Sequence, residues 1–286
     1  MASRKSWWTP EHPLGGLVLF GAAIAGVIGC VFGVLAYVRE ASPPPSTATV
    51  PTTVTDYVTL QKLLPEVQIS KFRGALGEEV FVNRFPNYTE YVFAEPMYFV
   101  QALTDLNDRV VLFSVVGRSK SFNPELAKVM GSGSPFKGPL LRTFAEISGS
   151  LPSAFAASVP ADQPPTYAEV FWEGNPGDFL YYGLLDSSAG YSIDGSSKSW
   201  LAILNYETST GRLFPNAFPS DPIYAPTHDA AEAAALSAIR EGLTANGYFV
   251  TDAFFDFSLV GGALPGPSYQ QTRLLPVTNP TPSGSR

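Results

Sequence analysis

Residues 88–117 read YTEYVFAEPMYFVQALTDLNDRVVLFSVVG, and this stretch decides the fold class. Tyr88–Glu95, Met97–Asp105 and Arg109–Gly117 are dense in Val, Phe and Tyr, residues that suit a pleated, half-buried backbone. Pro96 breaks the first run from the second, and Leu106-Asn107-Asp108 breaks the second from the third. Three apolar runs with turn residues between them predict consecutive antiparallel strands, a meander. Their apolar character on both faces implies that other segments cover the sheet.

Working outward, Asp56–Leu64 and Glu66–Leu76 predict short helices ahead of the meander. The second carries Ile69, Phe72 and Leu76 on one face and Gly77 as its terminator. Beyond the meander, Leu140–Ile147 predicts a short helix. Tyr167–Glu173, Phe179–Asp186 and Trp200–Glu207 predict strands. A helix is expected from Thr227 to Asn246, with Thr227 as N-cap, a buried stripe of Leu236, Ile239 and Leu243, and Gly247 at its end. A last strand is expected over 248–260, with Asp252 and Asp256 on its polar face. The fold class expected is α+β, a mainly antiparallel sheet with a few packing helices. Glu90–Glu95 and Glu169–Glu173 resemble each other, which fits one hairpin unit used twice and equally a chance likeness of two apolar hairpins.

Flanking segments differ sharply from this domain. Residues 14–38, LGGLVLFGAAIAGVIGCVFGVLAYV, contain no charge and no proline. A helix of that length rises about 37 Å, enough to cross a hydrocarbon core of about 30 Å. Trp7, Trp8 and Tyr37 suit the two interfaces, and Arg4 and Lys5 against Arg39 favour a cytoplasmic N-terminus. The run is too long for a cleaved signal peptide. Val27-Ile28-Gly29-Cys30 resembles a lipobox, but the apolar residues after Cys30 belong in a bilayer. Gly21, Ala25, Gly29 and Gly33 recur every fourth residue, a stripe on which two such helices could pack. The order expected is residues 1–13 cytoplasmic, 14–38 transmembrane, 39–55 a Pro/Ser/Thr-rich linker, 56–263 an extracytoplasmic domain and 264–286 a disordered tail.

Composition excludes several chemistries. The chain's only cysteine is Cys30, so the domain has no disulfide, thiolate nucleophile or cysteine metal site. His228 is its only histidine, which excludes HExxH chemistry and histidine-rich zinc sites. Neither a metal nor a cofactor is expected. A net charge of −7 disfavours nucleic acid. No GxSxG, P-loop or GxGxxG occurs. Ser134-Pro135-Phe136-Lys137 matches SxxK but lies among Gly and Pro rather than at a helix start. Asp105 and Asp108 flank a turn and are read as turn residues before cation ligands. Asp252 and Asp256 would stand about 13 Å apart on a strand, too far for a paired-carboxylate mechanism.

Two functional classes remain. Trp172, Tyr181, Tyr182 and Trp200 are candidate ligand-binding residues, because aromatic side chains line grooves for sugars, peptides and lipids. They point to a non-catalytic protein- or ligand-binding module of the cell envelope. The alternative is a carboxylate-dependent hydrolase or transferase using Glu173, Asp178, Asp186 and Asp194. Partners expected are the bilayer, through residues 14–38, and an envelope protein or a second copy of the chain.

The plan of basic start, single apolar helix, Pro/Thr-rich spacer and acidic domain resembles uncharacterised membrane-anchored envelope proteins of high-GC Gram-positive bacteria. Residues 69–84, ISKFRGALGEEVFVNR, resemble the start of an uncharacterised bacterial domain family. They are also similar to the helix–Leu-Gly–strand opening of small envelope lipoproteins of the outer-membrane assembly machinery. The resemblance implies an envelope location and an α+β fold, and no activity.

Overall fold

The structure is a computed structural model that describes residues 53–131, 133–175, 178–191, 196–219, 228–252, 255–260 and 264–275. The expected anchor at 14–38, its Gly21/Ala25/Gly29/Gly33 stripe and the linker up to residue 52 lie outside them. Among the described residues no helix is long and apolar enough to cross a membrane.

The meander forms as its sequence dictates. β2 (Thr89–Ala94), β3 (Tyr98–Thr104) and β4 (Val110–Gly117) pair antiparallel, and β3 is buried along its whole length. In the β3–β4 turn, Asp105 Oδ1 accepts the N–H groups of Asn107 and Arg109, and Asp108 takes φ 60°. Burial raises the Asp105 carboxyl, but those two N–H groups and the Arg109 charge hold it below its usual range. The turn residues therefore serve the backbone.

A short β1 (Phe81–Arg84) pairs with β2, and β8 (Gly247–Asp252) pairs with β4. From β8 the sheet continues through β7 (Asp178–Asp186) and β6 (Thr166–Asn175) to β5 (Ala154–Ser158). The eight antiparallel strands run β1-β2-β3-β4-β8-β7-β6-β5. The order is symmetric about the central β4–β8 pair. One row of paired residues reads Phe81, Val92, Gln101, Ser114, Phe249, Gly183, Val170, Ala154. Val92-Phe93 and Val170-Phe171 thus hold equivalent places, the same alignment that the two sequence stretches suggest. Phe249 lies against Gly183, where a Cβ would stand 1.8 Å from its ring. Glycine is needed there for space rather than for backbone freedom.

Helices line one face. They are α1 (Thr53–Leu60), α2 (Ile69–Leu76), α3 (Leu126–Val129), α4 (Phe144–Ile147), α5 (Ser196–Thr210) and α6 (Ala230–Gly242). Phe72 of α2 meets Phe113 edge to face, and Gly77 ends α2 at φ 82°. Thr143 and Glu146 cap α4 reciprocally. α6 buries Leu236 and Ile239 as its spacing predicts, but its N-cap is Asp229, and it stops at Gly242. Thr227 lies outside the described residues.

The opposite face is covered by Phe218, a 3-10 helix (Phe257–Val260), Leu264 and α7 (Tyr269–Arg273). Residues 264–275, expected as part of a disordered tail, are instead ordered on the sheet. There Gln101 Oε1 accepts the Gly266 N–H at 2.7 Å and Gln101 Nε2 donates to the Gly266 carbonyl at 3.0 Å. Gln271, 3% exposed, donates to the buried carboxylate of Glu90 at 2.9 Å. Residues 276–286 lie outside the described residues.

Two further expectations are corrected. Trp200–Glu207 is not a strand but the middle of α5. Trp200–Leu204 is an unbroken apolar run, and a run that short carries no period that separates strand from helix. The last strand stops at Asp252, and Asp256 Oδ1 accepts the Ser258 N–H at the start of the 3-10 helix instead of sharing a strand face with Asp252. At the β5 edge of the sheet the Ala157 N–H donates outward to the Pro215 carbonyl.

Candidate functional site

The site is built on α5 and α6, which pack on each other over the second half of the sheet. α5 turns Ser199, Ile203 and Tyr206 inward, where each is buried. Its outward side carries Trp200, Leu201 and Leu204, which are 38%, 58% and 56% exposed. Large apolar side chains are thus found on both sides of one helix, whereas a surface helix ordinarily keeps them to the inner side. Beside Leu201 a groove of about 290 Å³ runs between the helices, lined by Ala202, Tyr206, Ala235, Ala238 and Ile239, with Lys198 along it.

A polar cluster holds the helix pair together beside Pro152. Tyr206 donates to Glu232 Oε1 at 2.7 Å, and His228 Nδ1 stands 3.1 Å from Glu232 Oε2. His228 Nε2 lies 3.0 Å from the Pro152 carbonyl, and the imidazole leans on Phe155. Arg212 pairs with Asp229 at 2.7 Å. Burial and the neighbouring Glu232 carboxylate push the Tyr206 phenol well above its usual range, so it acts as a donor. These contacts clamp the start of α6 to α5 and to the loop before β5.

Beneath α6 lies a fully enclosed ion pair. Glu169 of β6 is 0% exposed, and Arg240 Nε donates to it at 3.0 Å. The Tyr167 hydroxyl donates to it at 2.6 Å, and Arg240 Nη2 donates to the carbonyls of Phe144 and Ser148. Burial pushes the Glu169 carboxyl up to about 7, against the pull of Arg240. A carboxylate closed in this way has no path to a substrate. It fastens α6 and α4 to the sheet.

The four aromatic candidates do not converge. Tyr181 and Tyr182 are neighbours on β7, so they point to opposite faces of the sheet, and both are buried. Trp172, 38% exposed, pairs across from Tyr181 on the face away from the helices. Trp200 stands on α5. Of the four, only Trp200 belongs to the helix-pair surface. Among the acidic candidates, Asp186 accepts the Ser199 hydroxyl at 2.6 Å and so anchors the start of α5. Asp194 and the side chains of Glu173 and Asp178 lie outside the described residues. Ser134 Oγ accepts the Phe136 N–H within a loop while Lys137 is exposed, an arrangement unlike a nucleophile and its base. Among the described residues no three His, Cys, Asp or Glu side chains gather as a metal site.

Sequence reasoning missed Leu201 and Leu204, hidden by the reading of their segment as a strand. It also missed Glu169 and Arg240. Arg240 carried a signal: it follows Leu236 by four residues on the buried stripe of α6, where a cation requires a partner.

The chain matches no protein-family model and no curated protein. Among solved structures it is similar to a cysteine-rich secretory protein from Staphylococcus aureus, at 16% identity and a TM-score of 0.27. The match covers 58% of this chain and 52% of that one, so the chain spans about half its length. A likeness of this size carries no argument about fold or activity.

Proposed function

We propose that the chain is a membrane-anchored module of the cell envelope, its domain outside the cytoplasm, acting by binding rather than by catalysis. The observation that carries the reading is the outward apolar side of α5, with Trp200, Leu201 and Leu204 beside an apolar groove. Contiguous exposed apolar patches mark interaction sites, whereas single exposed apolar residues do not. The polar clusters of the same half support the reading, since Glu169, Arg240, Glu232 and Asp186 are each engaged in holding elements together. The apolar run at 14–38 supplies the anchor in this reading, and the Gly21/Ala25/Gly29/Gly33 stripe supplies a place for two anchors to meet.

The test is site-specific photo-crosslinking in native membranes. A benzophenone amino acid at Leu201 is expected to give a discrete adduct, while one at Leu106, 76% exposed on the β3–β4 turn, gives none. Equal labelling from both positions would overturn the binding reading. Location is tested separately by labelling Ser46→Cys in a Cys30→Ser background with a reagent that cannot cross the membrane. Protection from that reagent in intact cells would place the domain in the cytoplasm.

A further inference from the structure

Resting on the membrane-anchored reading above, we infer that the outward side of α5 seats in the interfacial zone of the bilayer that holds the chain. Three observations point there. The first is residue type: Trp200 with Leu201 and Leu204 form the tryptophan–leucine surface that helices lying in a membrane interface present. Leu213, three residues beyond the end of α5, is also exposed, at 84%.

The second observation is charge. In a chain of net charge −7, Glu207 is the one acid between Ser197 and Leu213. Its carboxylate accepts the Phe214 N–H at 3.2 Å. Lys198 and Arg212 bracket the stripe at its two ends. An apolar helix side flanked by Lys198 at one end and by the balanced Arg212–Asp229 pair at the other has no net negative charge at its margins, so headgroups meet it without repulsion.

The third is the tether. The described chain begins at α1, whose Tyr57 packs into the core on the helical side of the sheet, the side to which α5 also belongs. The 14 residues from 39 to 52 join this side to the end of the apolar run. Fourteen residues span at most roughly 50 Å, the limit of a fully extended backbone. A domain held that close meets the surface at high effective concentration, so even a few apolar side chains suffice for a standing contact. The stripe is small, which fits a tethered partner better than a free one.

The experiment uses the full chain in vesicles of mixed phosphatidylcholine and phosphatidylglycerol. In a Cys30→Ser background, nitroxide labels are placed at Leu204→Cys and, as reference, at Leu106→Cys. Both positions are exposed, so neither change disturbs the core. The label at 204 is expected to be several-fold more accessible to lipid-dissolved oxygen than to a water-soluble nickel chelate, with the reverse at 106. Nickel access at both positions overturns the inference. A label at 204 shielded from both reagents, with spin–spin broadening lost on dilution by unlabelled chain, assigns the stripe to a second copy and also overturns it. Alkaline carbonate separates the two readings. Release of the chain from the vesicles overturns the anchor and the inference together, whereas retention with a nickel-accessible 204 overturns the inference alone.

Discussion

Tyr91 and Glu169 occupy the same place in the two halves of the sheet, one residue before the equivalent valines Val92 and Val170, and each meets an arginine from a helix. In the first half the guanidinium of Arg73 on α2 stands over the Tyr91 ring at 5.2 Å. Arg73 also pairs with Glu79, and its side chain is 44% exposed. In the second half Arg240, 4% exposed, is enclosed with the Glu169 carboxylate. The scaffold is shared, but the first arginine remains in water and the second does not. Burial converts a dispensable contact into one the fold depends on, because an enclosed charge without its partner has no solvent to fall back on.

The comparison breaks most directly by removing each arginine. At pH 8, Arg240→Ala is expected to lower unfolding stability by about 3–5 kcal/mol, since it leaves Glu169 uncompensated. Arg73→Ala should cost about 1 kcal/mol or less. Chemical denaturation of both variants checks the ratio, and similar losses would show that burial does not separate the halves. Joint replacement, Glu169→Leu with Arg240→Met, is expected to recover most of the loss.

The pH dependence sharpens the same contrast. The Glu169 carboxyl is raised from an ordinary 4.5 to about 7 in the folded chain, chiefly by burial. Between these values the folded state holds a proton that the unfolded state has released. The associated stability is therefore fully present below pH 4.5 and is lost as the pH rises through 7. Denaturation midpoints should show this fall in the wild type and not in Glu169→Gln. An identical profile in the two proteins would contradict it.

Gly183→Ala tests a different asymmetry in the shared row, where Gln101 holds the place that Gly183 holds in the second half. The added methyl collides with the Phe249 ring and is expected to cost about 1–3 kcal/mol, read as a lowered melting temperature. A smaller effect is expected of Gln271→Ala, which removes one of the donors to Glu90 and costs about 1 kcal/mol. Its clearer readout is faster hydrogen exchange confined to residues 264–275.

The sequence disclosed the first half of the sheet better than the second. β2, β3 and β4 were legible because their apolar runs are long and the turns between them carry Pro96, Asn107 and Asp108. β5, with the sequence AFAAS, was not, because alanine has little strand preference and only the pairing with β6 makes it a strand. α5 read as a strand because its outward side is as apolar as its inward side. Residues 264–275 read as tail because Pro265, Gly266 and Pro267 suit a loop, and their order comes from Gln101 and Glu90, more than 160 residues earlier in the chain. Of the candidate site, Trp200 alone was legible. A list of aromatics cannot say which face each occupies until the register is known.

The Pro215 carbonyl that receives the Ala157 N–H has a consequence beyond the single bond. The last strand of a sheet ordinarily offers its outer donors to any passing strand, which is how folded proteins seed aggregates. Here one of those donors is already taken by a proline, which has no N–H of its own to pass the pairing onward. At the other end, β1 is only four residues long, too brief a template to recruit a strand firmly. Each edge of this sheet thus offers a neighbouring copy less to pair with than a long open strand would.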